Sequence, residues 1–396
     1  MILGIDAHCL RAGGGITHLR EVLKVADPAA SGFTKVLIWS GRKTLESIEP
    51  QEWLQKLHDP LLDRDIISRT YWSSFKVSAL AKKAGCSVLW VPGCSFSGSF
   101  RPFVAMSRSM LPFEWSELRR YRFSRRLVKF LLLRVSNSRT YRRSDGMIYL
   151  TQYALTHVGG AVGKRRGDSR IIPHGVEDQF STGPGRRTET SVDPRLDTRR
   201  LLYVSAVDLY KHQWHVVEAV ELLQREGFRI ELTLIGPTFP EGETKLQKAL
   251  TRFSGTPGTI KYLGPVRHSE LPGHYKAADI FVFASSCENL PNILLEAMAS
   301  GLPIASSSRG PMPEVLRDGG LYFDPEKPAE IAAAVRQLIT SSTLAADKSR
   351  LALRYAGEYT WDRCARESFE YLATVAARFR GSIDEVVGRT QQGSAS

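Results

Sequence analysis

Short apolar runs alternate with amphipathic stretches along most of the chain. This alternation is typical of parallel β-sheets that helices cover on both faces. The strand-like runs of the first half are Met1–Ala7, Lys35–Ser40, Ser87–Gly93, Phe103–Ser107, Gly146–Thr151 and Arg170–Val176. Those of the second half are Leu201–Ala206, Arg229–Pro237, Thr259–Val266, Asp279–Ser285 and Leu302–Ser307. We therefore predict an α/β fold with two doubly wound, Rossmann-like domains.

A polar stretch, Ser181–Arg200, separates the two halves and contains many turn-forming residues. The predicted organisation is an N-terminal domain over 1–178, a linker over 179–200 and a C-terminal domain over 201–360. A helix over 361–380 is expected to cross back to the N-terminal domain, and 381–396 to form a flexible tail. Ligands of such sheets bind beyond the carboxyl ends of the strands. The two domains are therefore expected to face a ligand-binding cleft.

Length and composition favour a globular protein. The chain has 396 residues, of which 42% are hydrophobic and 24% charged. No apolar run approaches the roughly 18–20 residues of a membrane span, and the first residues resemble a strand more than a signal peptide. The five cysteines are scattered without a CxxC pair, so we expect reduced thiols, no structural zinc and a cytoplasmic location.

The positive charge is concentrated in one place. The net charge is +13, and the stretch from Arg101 to Arg143 has 12 Lys or Arg against two acids. Most of the excess therefore belongs to this basic segment.

The stretch ENLPNILLEAMASGLPI, Glu288 to Ile304, places Glu288 in a polar loop and Glu296 in a helix-like run. Pro291 or Asn292 is well placed to start that helix. A helix N-terminus offers unpaired N–H groups and positive partial charge, which suit a diphosphate. The two carboxylates would accept hydroxyl hydrogen bonds on either side of it, which matches the layout of a nucleotide-sugar.

At these residues the chain resembles the GT-B glycosyltransferases of family 4, the retaining glycosyltransferase group 1 enzymes. Their motif is a Glu, seven residues and a second Glu, followed by a run similar to the one here. IPHGV (Ile172–Val176), YLGPV (Tyr262–Val266), the glycine-rich turn after the first strand and Trp361 also match. The resemblance implies a GT-B architecture and is thinner in the N-terminal half.

The resemblance implies specific roles for residues of this chain. Glu288 would orient the transferred hexose and Lys211 would neutralise the leaving diphosphate, so both are predicted to be catalytic. The implied donor-binding residues are Glu296, Gly14, Gly15, Asn289, Leu290, Asn292 and Val266. No cofactor is implied beyond the nucleotide-sugar substrate. No metal is implied either, and the Asp63-Arg64-Asp65 triplet is expected to be a solvated turn.

The sequence departs from the family pattern at three places. Ala206 stands where the family has an Arg, which leaves His212, Arg309 or an N-domain Arg as substitutes. Ser109 stands where the N-domain loop often has a His, so no catalytic His is assigned. Asn289-Leu290-Pro291 replaces a Gly-Phe-Gly run, which bears on the donor sugar.

Three interpretations of the basic segment remain open. It is a core-packed helix with a solvated basic face, a contact for anionic lipid headgroups or a polyprenyl diphosphate acceptor, or a nucleic-acid contact. The residues predicted for acceptor or membrane contact are Arg119, Arg120, Arg122, Arg125 and Arg126.

The sequence thus predicts a metal-independent, retaining glycosyltransferase with a nucleotide-sugar donor and a glycan acceptor. The acceptor would be lipid-linked, in bacterial surface polysaccharide synthesis of O-antigen or capsule type, at the inner face of the cytoplasmic membrane. The alternatives are another GT-B enzyme (a sugar-nucleotide epimerase or a phosphorylase) and a basic protein that binds nucleic acid or an anionic surface. Nucleic acid is not expected as a partner of the transferase.

Overall fold

The computed structural model describes residues 1–11, 13–93, 95–181 and 193–393, with the side chains of 382–393 excepted. The chain divides into two units. The first contains Met1–Phe113, Val128–Gly175 and the chain from Trp361 onward. The second contains Glu114–Leu127 and Val176–Thr360.

The first unit is built on a seven-stranded parallel sheet with the order β3-β2-β1-β4-β5-β6-β7. Its strands are β1 (Ile2–Asp6), β2 (Lys35–Ser40), β3 (Leu54–His58), β4 (Val88–Val91), β5 (Phe103–Met106), β6 (Gly146–Tyr149) and β7 (Asp168–Ile171). The chain adds strands outward on one side of β1 and then on the other. The carboxyl ends of β1 and β4 therefore flank the switch point where ligands of such sheets bind.

Helices connect the strands in the first part of the chain. They are α1 (Gly14–Val25), α2 (Arg42–Glu46), α3 (Ile66–Tyr71), α4 (Val77–Lys83), α5 (Trp115–Leu118), α6 (Arg125–Arg143) and α7 (Gln152–Val162). A π-helical turn, Trp72–Lys76, joins α3 to α4. Short 3₁₀ turns lie at Ala29–Ser31, Pro60–Asp63, Leu111–Phe113 and Arg119–Tyr121.

The second unit has a six-stranded parallel sheet with the order β10-β9-β8-β11-β12-β13. Its strands are β8 (Arg199–Val204), β9 (Ile230–Ile235), β10 (Ile260–Tyr262), β11 (Ile280–Phe283), β12 (Ile304–Ser307) and β13 (Leu321–Phe323). Its helices are α8 (Gln213–Arg225), α9 (Pro240–Arg252), α10 (Leu271–Ala277), α11 (Asn292–Ala299), α12 (Met312–Leu316), α13 (Pro328–Thr340) and α14 (Ser342–Ala356). Further 3₁₀ turns lie at Asp178–Phe180 and His268–Glu270. Here the switch point lies between β8 and β11.

The predicted α/β fold with two parallel sheets is confirmed. Central strands such as β4 and β11 are buried at every position, which explains why they read as continuous apolar runs. The sequence analysis missed β3 and β13, because these edge strands mix buried with partly exposed residues.

The unit boundaries differ from the predicted domains in two ways. The stretch Glu114–Leu127 was assigned to the N-terminal domain and lies in the second unit. The last helix, α15, spans Trp361–Gly393, so the predicted tail is helical to that residue. Of the predicted linker, residues 182–192 lie outside the described residues.

Helix α15 is anchored in the first unit by its side chains. The Tyr371 hydroxyl donates to the Asp168 carboxylate at 2.8 Å and accepts from the Met147 amide at 3.1 Å. Arg378 forms a 2.8 Å ion pair with the same Asp168. Within the described chain, no helix is both long and apolar enough to span a bilayer.

One expectation about the cysteines is corrected. Cys9 is disulfide-bonded, whereas Cys86, Cys287 and Cys364 are free. The prediction that all five thiols are reduced is therefore wrong for Cys9.

Candidate functional site

The two predicted catalytic residues meet at the switch point of the second unit. Lys211 lies in the loop after β8, and Glu288 lies in the loop after β11, the strand that pairs with β8. The Lys211 Nζ donates to the Glu288 Oε1, and the two side chains are 7% and 15% exposed. The sheet order thus brings together two residues that are 77 positions apart in sequence.

The loop around Lys211 fixes where its ammonium points. The Lys211 amide donates to the Asp208 carbonyl at 3.0 Å, and its carbonyl accepts from the Tyr203 hydroxyl at 2.5 Å. Its Nζ lies 5.0 Å from the centre of the Tyr210 ring and 5.7 Å from that of Phe283. The cation is thus held among aromatic rings with Glu288 as its counterion.

The loops after β8 and β11 are also joined through their backbones. The Ser286 amide donates to the Tyr210 carbonyl at 2.8 Å, and His212 Nε2 lies 3.0 Å from Ser286 Oγ. These contacts keep Lys211 and Glu288 on one rigid edge of the sheet.

Neither His212 nor Arg309 replaces the missing arginine at Ala206 as an available cation. Burial, and then the nearby Arg120 charge, lower the pKa of His212 to about 2, so its ring is neutral. Arg309 is engaged by Asp324 at 2.8 Å and by Glu326 at 2.7 Å. Neither side chain offers an uncommitted positive charge.

Helix α11 begins beside Glu288, close to the predicted start. The amides of Leu294 and Leu295 donate to the Pro291 carbonyl, at 3.1 and 3.2 Å. The amides of Asn292 and Ile293 precede these bonds, so they belong to the unpaired N–H groups of a helix start. No acidic residue lies in this first turn. The helix N-terminus is therefore available to an anion.

Glu296 lies one turn further along α11 and is almost completely buried. Its carboxylate accepts from the Tyr275 hydroxyl at 2.9 Å, and its Oε1 lies 4.0 Å from His268 Nε2. Burial raises the pKa of Glu296 to about 7, although the Tyr275 hydrogen bond lowers it in part. A buried carboxylate with spare acceptor capacity suits vicinal hydroxyl groups.

The remaining predicted donor residues of this unit lie on the same loops. Asn289 and Leu290 follow Glu288 and are buried. Val266 lies half-buried in the loop after β10. Their contacts with a donor stay predictions.

The region that holds this site matches a known family. Residues 198–341 match the family model described as "Glycosyl transferases group 1". This part of the chain, which is similar to group 1 glycosyltransferases, is termed the group 1 domain. It contains Lys211, Glu288 and Glu296.

Curated relatives match about half of the chain. A D-inositol 3-phosphate glycosyltransferase of Geodermatophilus obscurus is 25% identical over 232 residues, 56% of this chain and 49% of the relative. The O-antigen chain mannosyltransferase B of Escherichia coli is 29% identical over 167 residues, 42% of this chain and 44% of the relative. The chain thus spans about half the length of the curated relatives it matches.

Solved structures extend the likeness in fold to nearly the whole chain. Sucrose-phosphate synthase from Thermosynechococcus elongatus superposes with a TM-score of 0.72 at 16% identity, over 96% of this chain and 100% of the other. Anabaena HepE in complex with UDP-glucose gives 0.65 at 17% identity, over 96% and 100%. WaaG, a glycosyltransferase involved in lipopolysaccharide biosynthesis, gives 0.63 at 15% identity, over 94% and 99%. The fold is that of the GT-B glycosyltransferases.

The first unit carries the predicted glycine-rich turn at its own switch point. Gly13 has a positive φ of 70° and precedes α1, which Gly14 and Gly15 begin. A Cβ on Gly15 would lie 2.9 Å from Leu10 Cδ2, so a larger residue there would displace Leu10. The exposed Gly14 keeps the backbone open, and its role toward a diphosphate stays a prediction.

Sequence reasoning missed the role of Arg108 beside this turn. Arg108 follows β5, and its Nη2 donates to the Gly14 carbonyl at 2.7 Å. Its Nη1 is buried and has no hydrogen-bond partner among the described residues. Burial lowers the pKa of Arg108 to about 10. The sequence signal for Arg108 is a charged residue two positions after an apolar strand.

His18 lies next to Arg108 and is 1% exposed. Neither ring nitrogen has a hydrogen-bond partner within the described part of the chain. Its pKa is lowered well below the ordinary value, first by burial and then by Arg108 and His174. Its ring packs edge-on against Trp361 at 5.6 Å, while His174 stacks on Trp361 at 5.7 Å. His18 is therefore a neutral ring.

The five predicted contact arginines fall into two groups. Arg120 and Arg126 form ion pairs inside the second unit, and their contact with an acceptor or a membrane stays a prediction. Arg119, Arg122 and Arg125 are exposed, and none has an ion pair within the described residues. The prediction of acceptor or membrane contact stays for these three as well.

The triplet from Asp63 to Asp65 has a structural explanation. Asp63 accepts from the Arg42 amide at 2.8 Å and pairs with His58 at 2.6 Å. Asp65 accepts from the Ser68 amide at 2.8 Å and so caps α3. Across the described residues, no three His, Cys, Asp or Glu side chains form a group that could hold a metal ion.

Proposed function

We propose that the protein is a retaining glycosyltransferase that moves a sugar from a nucleotide-sugar to a glycan acceptor. One observation carries the proposal: the buried Lys211–Glu288 pair lies beside the open start of α11, inside the group 1 domain. The structural neighbour Anabaena HepE has been solved in complex with UDP and with UDP-glucose, which supports a nucleotide-sugar donor.

Each residue has a distinct task in this proposal. Glu296 accepts the ribose hydroxyls, because it is a buried carboxylate with a single hydroxyl donor on one oxygen. The amides of Asn292 and Ile293 and the Lys211 ammonium face the diphosphate. Glu288 then accepts hydroxyls of the hexose in place of its bond to Lys211.

The transfer follows from this arrangement. As the bond between the anomeric carbon and the diphosphate oxygen breaks, negative charge grows on the diphosphate. Lys211 and the start of α11 stabilise that charge, so no metal ion is required. The acceptor hydroxyl attacks from the face that the diphosphate leaves, and a departing phosphate oxygen takes its proton. The sugar keeps its anomeric configuration.

We further propose a lipid-linked acceptor in bacterial surface polysaccharide synthesis, at the inner face of the cytoplasmic membrane. The Escherichia coli relative is named an O-antigen mannosyltransferase, and a structural neighbour acts in lipopolysaccharide biosynthesis. The exposed Arg119, Arg122 and Arg125 lie within four residues of Phe123 in sequence, and Phe123 is 96% exposed. A basic surface with an exposed aromatic ring suits an anionic membrane interface.

Liposome flotation tests the membrane part. Wild type is expected to float with vesicles that contain anionic phospholipid and not with neutral vesicles. The triple variant R119S/R122S/R125S is expected to stay in the soluble fraction with unchanged thermal stability. A wild type that remains soluble with anionic vesicles refutes membrane contact, without affecting the donor site.

Thermal unfolding with UDP, GDP, TDP and ADP tests the donor site. One nucleotide is expected to raise the melting temperature of wild type, since a ligand at 100 times its Kd adds about 2.7 kcal/mol. Glu296→Ala is expected to abolish that rise, while Glu218→Ala, an exposed carboxylate on α8, retains it. If no nucleotide stabilises wild type, the second unit is not a preformed nucleotide site. A duplex-binding assay with steep salt dependence then tests the nucleic-acid alternative.

Product analysis separates the transferase from the other GT-B enzymes. A transferase releases nucleoside diphosphate as it glycosylates an acceptor. A phosphorylase requires free phosphate, and an epimerase returns a nucleotide-sugar.

A further inference from the structure

A short piece of the first half of the chain completes the second unit. This inserted segment, Glu114–Leu127, contains α5 and the following 3₁₀ turn, and its contacts group it with Val176–Thr360. The sequence analysis assigned it to acceptor or membrane contact. In the structure, Arg126 and Tyr121 bind Asp208 in the loop after β8, and Arg120 binds Glu326 after β13.

Arg126 and Tyr121 converge on Asp208, which is 2% exposed. Arg126 donates to both carboxylate oxygens of Asp208, at 2.6 and 3.0 Å. The Tyr121 hydroxyl donates to the Asp208 Oδ1 at 2.7 Å. Burial, and then the Asp208 charge, raise the pKa of Tyr121, so it remains a protonated donor. The inserted segment thus holds the buried Asp208 carboxylate with three hydrogen bonds.

The Arg126 guanidinium is itself held in place. It lies 4.5 Å above the Phe239 ring and 4.7 Å above the Tyr121 ring. Its Nη1 also pairs with Glu241 at 3.1 Å. A flat, bidentate group stacked between two rings has a geometry that a lysine does not reproduce.

Arg120 forms a second anchor. It pairs with Glu326 at 2.7 Å and with the buried Glu117 at 2.7 Å. The hydrogen bond from Arg120 is the main reason that the pKa of Glu326 falls to about 2. The Arg120 charge also contributes to the lowered pKa of His212, the residue that follows Lys211. The inserted segment therefore reaches both Asp208 and the surroundings of His212.

Asp208 connects these anchors to Lys211. Its carboxylate accepts from the Leu209 amide at 2.8 Å, and its carbonyl accepts from the Lys211 amide at 3.0 Å. The four-residue turn Asp208–Lys211 is thus closed by two hydrogen bonds to Asp208, one to its carboxylate and one to its backbone carbonyl. Gly242 of α9 packs on the same turn, because a Cβ there would lie 2.7 Å from Asp208 Cα.

We propose that Arg126 and Tyr121 are positioning residues for the donor site: through Asp208, the inserted segment holds the turn that aims Lys211 at a diphosphate. The geometric part rests on the contacts above. The part that concerns the diphosphate rests on the proposed function.

Backbone hydrogen exchange of the full-length protein tests the geometric part. Arg126→Lys keeps the charge and removes the bidentate contact. It is expected to speed hydrogen exchange of the Leu209 and Lys211 amides by about tenfold, because this factor corresponds to the loss of one charge-assisted hydrogen bond. Arg122→Lys is the matched control, because Arg122 lies in the same segment, is exposed and has no ion pair among the described residues. It is expected to leave both amides unchanged.

Tyr121→Phe is the second variant, since it removes one hydrogen bond to Asp208 with little change in shape. It is expected to speed the same two amides by a smaller factor. If either variant lowers the melting temperature but leaves both amides at the wild-type rate, the inserted segment is only a structural anchor and the proposal is overturned.

A comparison of nucleotides tests the diphosphate part. Arg126→Lys is expected to weaken binding of the nucleoside diphosphate that binds wild type by about tenfold. It is expected to weaken binding of the matching monophosphate by less than about twofold. General destabilisation would weaken both equally, and equal weakening overturns the assignment. If wild type binds no nucleotide, the proposed function fails, while the exchange rates still decide whether the segment holds the turn.

Discussion

The two switch points of the molecule share a topology and differ in their charges. In the second unit the cation, Lys211, already has Glu288 as its counterion. In the first unit the cation, Arg108, donates to the Gly14 carbonyl, and its Nη1 has no partner among the described residues. The same strand order thus supports one cation with a bound carboxylate and one, Arg108, without an ion pair among the described residues. Under the proposed function, a donor in the second unit would replace the ion pair between Lys211 and Glu288.

The largest expected effect comes from removing the neutralised cation. Lys211→Ala is expected to lower kcat by a factor of about 10²–10³, because the leaving diphosphate loses a preorganised positive charge. The measurement is release of nucleoside diphosphate from the nucleotide-sugar whose nucleotide stabilises wild type. Lys248→Ala, an exposed lysine on α9, is the control. Turnover within about threefold of wild type would show that the pair with Glu288 is structural.

The second effect concerns Glu296, which, unlike Glu288, has no ion pair with a lysine or arginine among the described residues. Its folded-state pKa is about 7 against an ordinary 4.5, so the native state binds more protons between these values and stability falls as pH rises through that window. Glu296→Gln is expected to exceed wild type in stability at pH 8 by up to about 3 kcal/mol, and to match it near pH 4.5. Urea unfolding at both pH values measures the difference, with Glu218→Gln as control. A stability difference between Glu296→Gln and wild type that does not change with pH would contradict the raised pKa of Glu296.

A smaller effect is expected from the hydroxyl that supports Glu296. Tyr275→Phe removes the 2.9 Å hydrogen bond that favours the ionised carboxylate. The pKa of Glu296 is expected to rise further, so nucleotide binding would reach half its maximum at a higher pH, by up to about one unit. Titration of nucleotide affinity against pH measures it. A shift to lower pH would show that the hydroxyl does not stabilise the ionised form.

The smallest effect tests the cation of the first unit. Arg108→Met is expected to leave the melting temperature unchanged or higher, because burial already disfavours this charge. Arg101→Met is the matched comparison, since Arg101 pairs with Asp145 at 2.6 Å and its loss is expected to cost up to about 1 kcal/mol. Equal destabilisation by the two changes would show that Arg108 has a counterion as effective as Asp145.

The sequence predicted best what depends on local pattern. Strands β11 and β12 lie within the predicted runs Asp279–Ser285 and Leu302–Ser307, because buried strands are continuous in apolar residues. The start of α11 was predicted from Pro291 and Asn292. Glu288 was predicted to lie in a polar loop, and it lies in the loop after β11.

What the sequence did not reveal depends on contacts between distant residues. Arg126 lies 82 positions from Asp208, and nothing in the local pattern distinguishes it from the exposed Arg122 or Arg125. Nothing in the local sequence distinguishes Arg108 and His18. Their lowered pKa values arise only because both side chains are buried in the same place. Charge density identified the basic segment but not which of its cations face inward.

The connectivity of the units has a consequence for how the protein is made. The first unit needs α15, which is synthesised after every residue of the second unit. The second unit needs only Glu114–Leu127 and Val176–Thr360, which are all synthesised earlier. All residues of the second unit are therefore synthesised before those of the first unit are complete. Until α15 is made, the surface of the first unit that α15 covers stays exposed. Nascent chains that stop before Trp361 would expose this apolar face and would be the ones most in need of a chaperone.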